Sequence, residues 1–596
     1  MCGIIGYTGN RQAKEVILSG LKRLEYRGYD SAGIAIANGA MTLLKDKGGI
    51  DHLISILPEI RGKYGIGHTR WATHGPPIKN NSHPMLDCKG EIALVHNGII
   101  ENNVALREEL MKRGHVFRSE TDTEVAVHLL EEFFEGNLED AMRKTVTRLE
   151  GSYALVAMHS KENGKIVGAR NISPLVVGVG KRENFLASDV PAILEYTDRM
   201  IYLLDGEIVT LTKEQVKITD FEGKEIKRSW QKVEMSLEGA EKGGYDHFML
   251  KEIFEQPRAI QDTIMGANLN AESGYTLGLR PETIKIIACG TSYHAGYVGK
   301  YMFEELAHIP TTVELASEYR FSSDTTSKPL VIGISQSGET TDTLSAIKTA
   351  QKRGLDTLGI VNIVGSTMTR EADSIFYTRA GLEVGVAATK TYITQLIAML
   401  SLAIKTGVAT QSLGIDDARR LTNEMKKLPK NVRSVLDQSD KIFEIAQEIA
   451  GARSMFFLGR NINFPVALEG ALKMKEISYI HAEGYPGGEL KHGPLALVTD
   501  ETPVVAIAVK DQTHGKMLGN IGEVSARGAM VIGIGTEGDR ELEKYVDHVI
   551  YIPDVPPLFT PVLTSVVMQL LAYHVANILG CEIDKPRHLA KSVTVE

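Results

Sequence analysis

The chain is short of cysteine: Cys2, Cys88, Cys289 and Cys581 are the only four in 596 residues. Thiols so few and so scattered exclude a disulfide framework and paired zinc knuckles, and they fit a reducing compartment. Positive charge is also in deficit. Lys plus Arg number 66 against 75 Asp plus Glu, a formal net charge of −9, and no long basic block stands out. This disfavours a nucleic-acid partner or an anionic membrane surface, so an anionic ligand must be met by local chemistry. The most apolar late stretch, Val566 to Gly580, is interrupted by Gln569, His574 and Asn577. It falls short of the roughly 20 residues of a bilayer span and reads as a buried core helix. The start, Met1-Cys2-Gly3-Ile4-Ile5-Gly6, lacks the charged residues, apolar run and cleavage site of a secretory leader, so a cytoplasmic location is expected. What is present is ordinary globular usage, 43% hydrophobic and 24% charged. At about 150 residues per domain the length allows two to four cores.

Before about residue 235 short apolar runs are separated by glycine turns: Ile34 to Ala37, Gly65 to Gly67, Glu91 to Val95, Tyr153 to Met158 and Leu175 to Val179. Helical periodicity covers Ala13 to Leu24, Val104 to Arg113 and Thr123 to Phe134. Sheets covered by helices, a layered α+β sandwich, satisfy this pattern. A polar, glycine-containing stretch between Glu234 and Asp246 marks a linker. Beyond it, strand-length apolar runs alternate with longer helical segments, the signature of parallel βαβ units. The pattern repeats. Thr283 to Ala288 followed by Cys289-Gly290-Thr291-Ser292 has a counterpart in Ser454 to Leu458 followed by Gly459-Arg460-Asn461-Ile462. Pro329 to Ile334 then pairs with Pro503 to Val509, and Leu358 to Val364 with Ala529 to Ile534. The expected division is 1–238, a linker at 239–245, two α/β copies at 246–430 and 431–585, and a tail at 586–596.

Cys2 follows the initiator methionine. Removal of Met1 would leave a thiol and a free α-amine on one residue, the amine able to take up the thiol proton during attack on an amide. Alone, Cys2 reads rather as a small apolar residue opening a strand. Around it stand the polar clusters Arg27-Gly28-Tyr29-Asp30-Ser31, Gly67-His68-Thr69-Arg70-Trp71-Ala72-Thr73-His74-Gly75, His96-Asn97-Gly98 and Ser119-Glu120-Thr121-Asp122-Thr123-Glu124, all at strand ends where loops converge. Together they closely resemble the N-terminal-nucleophile glutamine amidotransferase domain. The resemblance implies an N-terminal-nucleophile hydrolase sandwich in which Cys2 is the nucleophile and Asn97 with the Gly98 backbone N–H forms the oxyanion hole. It further implies that Arg70 holds the glutamine α-carboxylate, that Asp122 binds the α-ammonium, and that Trp71 gates ammonia passage.

Val331-Ile332-Gly333-Ile334 runs into Ser335-Gln336-Ser337-Gly338-Glu339-Thr340 and then a helical pattern from about Thr341. A helix start beside hydroxyl donors can bind a phosphate without lysine, although a capping box would use the same residues. No Walker-type lysine motif or GxGxxG follows any expected strand, so no nucleotide cofactor is assigned. The loop and its two-copy setting resemble the sugar isomerase (SIS) domain, which implies sugar-phosphate contacts at Ser292, Ser335, Gln336, Ser337 and Thr340. Gly385-Val386-Ala387-Ala388-Thr389-Lys390 resembles a further ligand-facing segment of that family, with Val386 and Ala387 nearest.

Glu469, Lys473 and Glu476 fall at i, i+4 and i+7 of one helix, hence on one face. They are followed by His481-Ala482-Glu483-Gly484 and Gly488-Glu489-Leu490-Lys491-His492-Gly493-Pro494, a setting that favours a catalytic face over a solvated ion-pair stripe. His481 and His492 lack closely spaced ligands, so no metal is assigned. The tail Asp584-Lys585-Pro586-Arg587-His588-Leu589-Ala590-Lys591-Ser592-Val593-Thr594-Val595-Glu596 resembles the C-terminal signature of the isomerising glutamine:fructose-6-phosphate aminotransferases, departing at His588, where the family usually has asparagine. This resemblance covers the whole chain. It implies glutamine and fructose 6-phosphate as substrates and Lys591 as Schiff-base former. Glu476 becomes the proton-transfer base, with Lys473 in support. His492 opens the sugar ring from a neighbouring subunit, and the assembly is at least a homodimer.

Overall fold

The computed structural model describes residues 2–25, 28–71, 74–233, 242–267, 280–322 and 328–593. Residues 239–241 of the expected linker, together with Arg27, Ala72, Thr73 and the last three tail residues, lie outside them. The chain forms two compact units, Met1–Ala240 with Ala590–Glu596, and Glu241–Leu589.

The first unit is built on two sheets, antiparallel at every pairing. One has eight strands, in the order Gln231–Lys232, Arg199–Tyr202, Val176–Val179, Asn184–Ala187, Gly3–Thr8, Tyr64–Arg70, Ser31–Asn38 and Ala40–Lys47. The other has six: Val216–Asp220, Glu207–Leu211, Ile166–Asn171, Gly151–His159, Ile92–Ile100 and Met85–Leu86. Because strand side chains alternate faces, Ile4 and Ile5 enter different cores. Ile5, Ile34 and Ile36 pack with Val16, Ile17 and Leu21 of helix Ala13–Leu24, whereas Ile4, Ile66, Val95, Val156 and Val177 fill the space between the sheets. A third core lies under helices Thr123–Phe133 and Leu138–Val146 on the outer face of the six-stranded sheet. Four layers, helix, sheet, sheet and helix, result. Each isoleucine buried in this way contributes about 1.5–3 kcal/mol.

The second unit holds two five-stranded parallel sheets. The first runs Thr311–Leu315, Ile284–Ala288, Leu330–Ser335, Thr357–Val361, Ser374–Tyr377; the second runs His481–Pro486, Ser454–Gly459, Val504–Ala508, Val531–Thr536, His548–Ile552. In each, the second strand in sequence lies at the edge beside the first, so the internal repeat read from sequence is one topology written twice. One continuous core joins the copies through helices Gly290–Leu306, Lys390–Ala409, Phe464–Ser478 and Thr560–Ile578. Residue 430 falls inside helix Leu428–Leu436, which packs into this shared core. Among the described residues two helices, Lys390–Ala409 and Pro557–Ile578, are long and apolar enough to cross a membrane by length and composition, and 83% and 100% of their apolar windows are buried within the protein. The stretch from Val566 belongs to the second of these.

Candidate active sites

In the first unit, strand Gly3–Thr8 pairs with Tyr64–Arg70, Gly3 opposite Thr69, so Cys2 and Trp71 emerge at the same sheet end. The Trp71 backbone N–H donates to Cys2 Sγ at 3.2 Å. Asn97, in strand Ile92–Ile100, donates from Nδ2 to the Cys2 carbonyl at 2.9 Å. Its Oδ1 faces His68 Nε2 at 3.1 Å, and the same nitrogen faces the His96 carbonyl at 3.0 Å. Both partners are acceptors, so Nε2 carries the hydrogen and His68 is held neutral in that tautomer. Burial pushes the His68 imidazole down to about 3, and it pushes His83 and His96 down as well. Gly98 adopts φ +122°, and a Cβ there would stand 2.0 Å from the Ser152 carbonyl oxygen, so only glycine fits.

Arg70 is buried and hydrogen-bonds the carbonyls of His74 and Gly75 through Nη2. Its Nη1 is buried with no hydrogen-bond partner among the described residues. Burial pushes this guanidinium down while the charges of Cys2, Asp122 and Asp30 pull it up, and Nη1 remains an unspent donor near the Cys2 thiol. Asp122 precedes helix Thr123–Phe133 and is fixed by the Ile100 N–H at 2.9 Å. A cationic donor, an anion and a thiol thus converge, as an amino acid with a side-chain amide requires.

In the second unit, Ser335 ends the third strand of the first copy, and the loop after it turns at Gly338, φ +64°, into helix Thr341–Lys352. Ser335 Oγ lies 3.0 Å from Thr340 Oγ1 and accepts the Gly338 N–H at 3.0 Å; Ser337 Oγ accepts that of Glu339 at 3.2 Å. The loop lies at the carboxyl ends of strands Ile284–Ala288 and Leu330–Ser335, where the strand order reverses and open α/β sheets bind ligands. The neighbouring turn carries Ser292, whose hydroxyl accepts from Gln395 Nε2 at 3.0 Å.

Helix Phe464–Ser478 of the second copy presents its charged face to the same turn. Glu469 accepts from Thr291 Oγ1 at 3.0 Å and pairs with His294 Nδ1 at 2.7 Å; Lys473 Nζ donates to Thr291 Oγ1 at 3.1 Å. Lys473 also meets Glu469 at 3.3 Å and Glu476 at 2.5 Å. Burial would lower the Lys473 ammonium, but the carboxylates of Glu469 and Glu476 raise it above the ordinary lysine range. Burial would raise Glu469, yet Lys473, His294 and Thr291 hold it low. Glu476, about one-fifth exposed, is the member of the row that reaches solvent.

A glutamine amidotransferase domain matches residues 68–195, and a SIS domain matches twice, at 280–405 and 448–579. The glutamine–fructose-6-phosphate aminotransferase [isomerizing] of Thermus thermophilus is 50% identical over 605 residues, and that of Pyrococcus horikoshii 51% over 604, each covering 100% of both chains. The chain belongs to the isomerising glutamine–fructose-6-phosphate aminotransferases. A solved C-terminal domain of glucosamine-fructose-6-phosphate aminotransferase from Francisella tularensis is similar at 39% identity and TM-score 0.55, spanning 58% of this chain and 99% of that one.

Other residues carried over from the aminotransferase family sit as follows. Trp71 is half-buried and meets Tyr29 edge to face at 6.1 Å. Gln336 is half-buried, its carbonyl bound by the Asn362 N–H. Val386 and Ala387 are buried; the Val386 N–H is held by the Asp584 carbonyl, and Ala387 packs in the shared core. His492 ends the turn Gly487–His492 with its side chain exposed. Lys591 is half-buried in the segment that groups with the first unit. His588 adopts φ +60°, a left-handed conformation in which asparagine and histidine are both enriched, which accounts for the exchange at this position. Sequence reasoning gave no role to His68, Thr291 or His294. Their one signal was position beside a quoted motif residue.

Proposed function

We infer that this chain carries out the reaction for which its relatives are named, converting glutamine and fructose 6-phosphate into glutamate and glucosamine 6-phosphate, the entry step to amino-sugar nucleotides. The observation that carries the reading is full-length likeness at about half identity to enzymes of that name. The two sets of side chains described above supply the chemistry.

The Cys2 thiol attacks the glutamine amide carbon, its proton passing to the α-amine and on to the departing ammonia, while the oxyanion takes hydrogen bonds from Asn97 Nδ2 and the Gly98 N–H. Water then cleaves the thioester to glutamate. Arg70 and Asp122 select an amino acid by pairing with its two charged groups, and Trp71 governs ammonia passage. Ser292, Ser335, Gln336, Ser337 and Thr340 hold the sugar phosphate, with Val386 and Ala387 shaping the wall. His492 of the partner subunit opens the ring, and Lys591 condenses with the C2 carbonyl, expelling water. Ammonia displaces the lysine, and Glu476 takes the proton from C1 and returns it to C2. Lys473 holds the Glu476 carboxylate in place through their ion pair at 2.5 Å. Ammonium cannot attack a carbonyl, so nitrogen must reach the ketose uncharged. The enzyme acts in the cytoplasm as a homodimer or larger assembly, without nucleic acid or membrane.

The test is product analysis with Cys2→Ala. Synthesis from glutamine should be abolished while isomerisation of fructose 6-phosphate persists; loss of both would contradict two separable chemistries. Borohydride with fructose 6-phosphate should label Lys591, and a label on another lysine rejects that role.

A further inference from the structure

Away from both sites, four side chains of the first unit converge. Cys88 follows the short strand Met85–Leu86, His115 follows helix Asn103–Lys112, and His128 and Glu131 lie one turn apart on helix Thr123–Phe133. One ligating atom from each lies within 4.8 Å of all the others. Cys88 Sγ is 3.8 Å from His115 Nδ1 and 3.7 Å from His128 Nδ1. Glu131 Oε2 is 3.0 Å from His115 Nδ1 and 3.1 Å from His128 Nδ1. A tetrahedral zinc, with Zn–N, Zn–O and Zn–S bonds of about 2.0–2.3 Å, holds its ligand atoms roughly 3.3–3.6 Å apart. Four of the six separations, 3.0–3.8 Å, stand near that spacing, and all six lie within 4.8 Å.

The surroundings complete the argument. His115 turns Nε2 to Glu132 at 2.9 Å. A neutral imidazole has one N–H; if Nε2–H donates to Glu132, the Nδ1 lone pair faces the Glu131 oxygen, and a cation between them satisfies both. A histidine bound through one nitrogen and donating the other to a carboxylate is the usual outer-shell arrangement of zinc ligands. Cys88 Sγ accepts the Val116 N–H at 3.5 Å, a contact that suits a thiolate. His128 is buried, its ring edge-on to Phe117 at 4.6 Å.

We propose that Cys88, His115, His128 and Glu131 form a structural zinc site. The sequence reading assigned no metal on the spacing around His481 and His492; the four ligands here come from three separate segments that no short spacing joins. Four protein ligands leave no open position, so the ion staples rather than catalyses. It ties the loop after Met85–Leu86 and the segment after Asn103–Lys112 to the helix preceded by Asp122. Binding replaces the Cys88 thiol proton, which is released to solvent.

The untagged full chain, stripped with a chelator and reconstituted with zinc or cobalt(II), tests this by metal analysis and absorption. About one zinc per chain is expected after desalting, with a thiolate-to-cobalt charge-transfer band and tetrahedral visible bands for cobalt. Cys88→Ser should abolish the charge-transfer band. The triple variant Cys2→Ser/Cys289→Ser/Cys581→Ser, which retains Cys88 alone, should keep it, so misfolding of the single variant cannot pass for support. Less than about a tenth of an equivalent in the wild type, a band that survives Cys88→Ser, or a band lost in the triple variant overturns the proposal.

Discussion

Asn97 donates to the Cys2 carbonyl while its own side-chain oxygen is held by His68. The amide therefore cannot turn over without setting its oxygen against another acceptor, and its N–H stays aimed at Cys2, the nucleophile of the proposed reaction. Orientation costs nothing at the moment of reaction because it is fixed in advance. Asn97→Ala should lower the rate of glutamine hydrolysis by about 10²–10³-fold with a small change in KM, the usual result of removing one oxyanion donor. A rise confined to KM would place Asn97 in ground-state binding instead.

In the proposed mechanism His68 acts through Asn97, as a positioning residue. His68→Phe keeps the ring volume but removes the N–H. It should lower kcat for glutamine hydrolysis by about tenfold while KM stays near its wild-type value, whereas His68→Gln, which can still donate, should recover part of the loss. The neutral ring also sets a pH dependence of stability. The imidazole is held at about 3 in the fold against about 6.5 in an unfolded chain. Between those values the unfolded state binds the extra proton, so stability falls as pH drops from 6.5 toward 3, by about 1.4 kcal/mol per pH unit for each such group. Denaturant titrations from pH 7 to pH 4 measure the slope, and His68→Phe should flatten it.

The layered order of strands and helices was legible because its signals are local. The helix Ala13–Leu24 repeats its buried residues at helical spacing, and strand Ser31–Asn38 alternates two cores along one run. The repeat was legible as well, since Ile284–Ala288 and Ser454–Gly459 each end in a glycine turn. The row Glu469, Lys473, Glu476 announced itself through helical periodicity alone. Periodicity could not show what that row meets. Thr291 and His294 belong to the other copy, some 175 residues away, and only packing in a shared core brings them to Glu469. The Cys88 cluster was hidden for the same reason, because no short spacing joins a loop, a helix end and a second helix.

The paired hydroxyls of Ser335 and Thr340 should be separable from glutamine chemistry. Each holds the other at 3.0 Å beside the first turn of helix Thr341–Lys352. Removing both with Ser335→Ala/Thr340→Val should raise KM for fructose 6-phosphate at least tenfold, at about 1.4 kcal/mol per tenfold, and leave the rate of glutamine hydrolysis without sugar unchanged. Steady-state kinetics with the sugar varied, alongside a glutaminase assay, decide the matter; an equal loss in both would show a folding defect.

The buried row on helix Phe464–Ser478 sets the acid limit of the second unit. Glu469 is held below the ordinary carboxylate range, so its contribution to stability is present above about pH 4.5, the value of an unperturbed glutamate, and is lost as pH falls through the lower folded value. Lys473 is raised, so its contribution is present below the ordinary lysine value and is lost only in strong alkali. Neither Glu469 nor Lys473 titrates between pH 6 and 9, so these two should add no slope there. Lys473→Met takes the lysine cation away from buried Glu469 and from Glu476, a change that costs roughly 3–5 kcal/mol. Restoring neutrality with Glu469→Gln in the same chain should recover part of that loss. Thermal unfolding of the single and double variants across pH 4 to 9 tests this: a double variant no more stable than Lys473→Met would show that the lysine is kept for packing rather than charge.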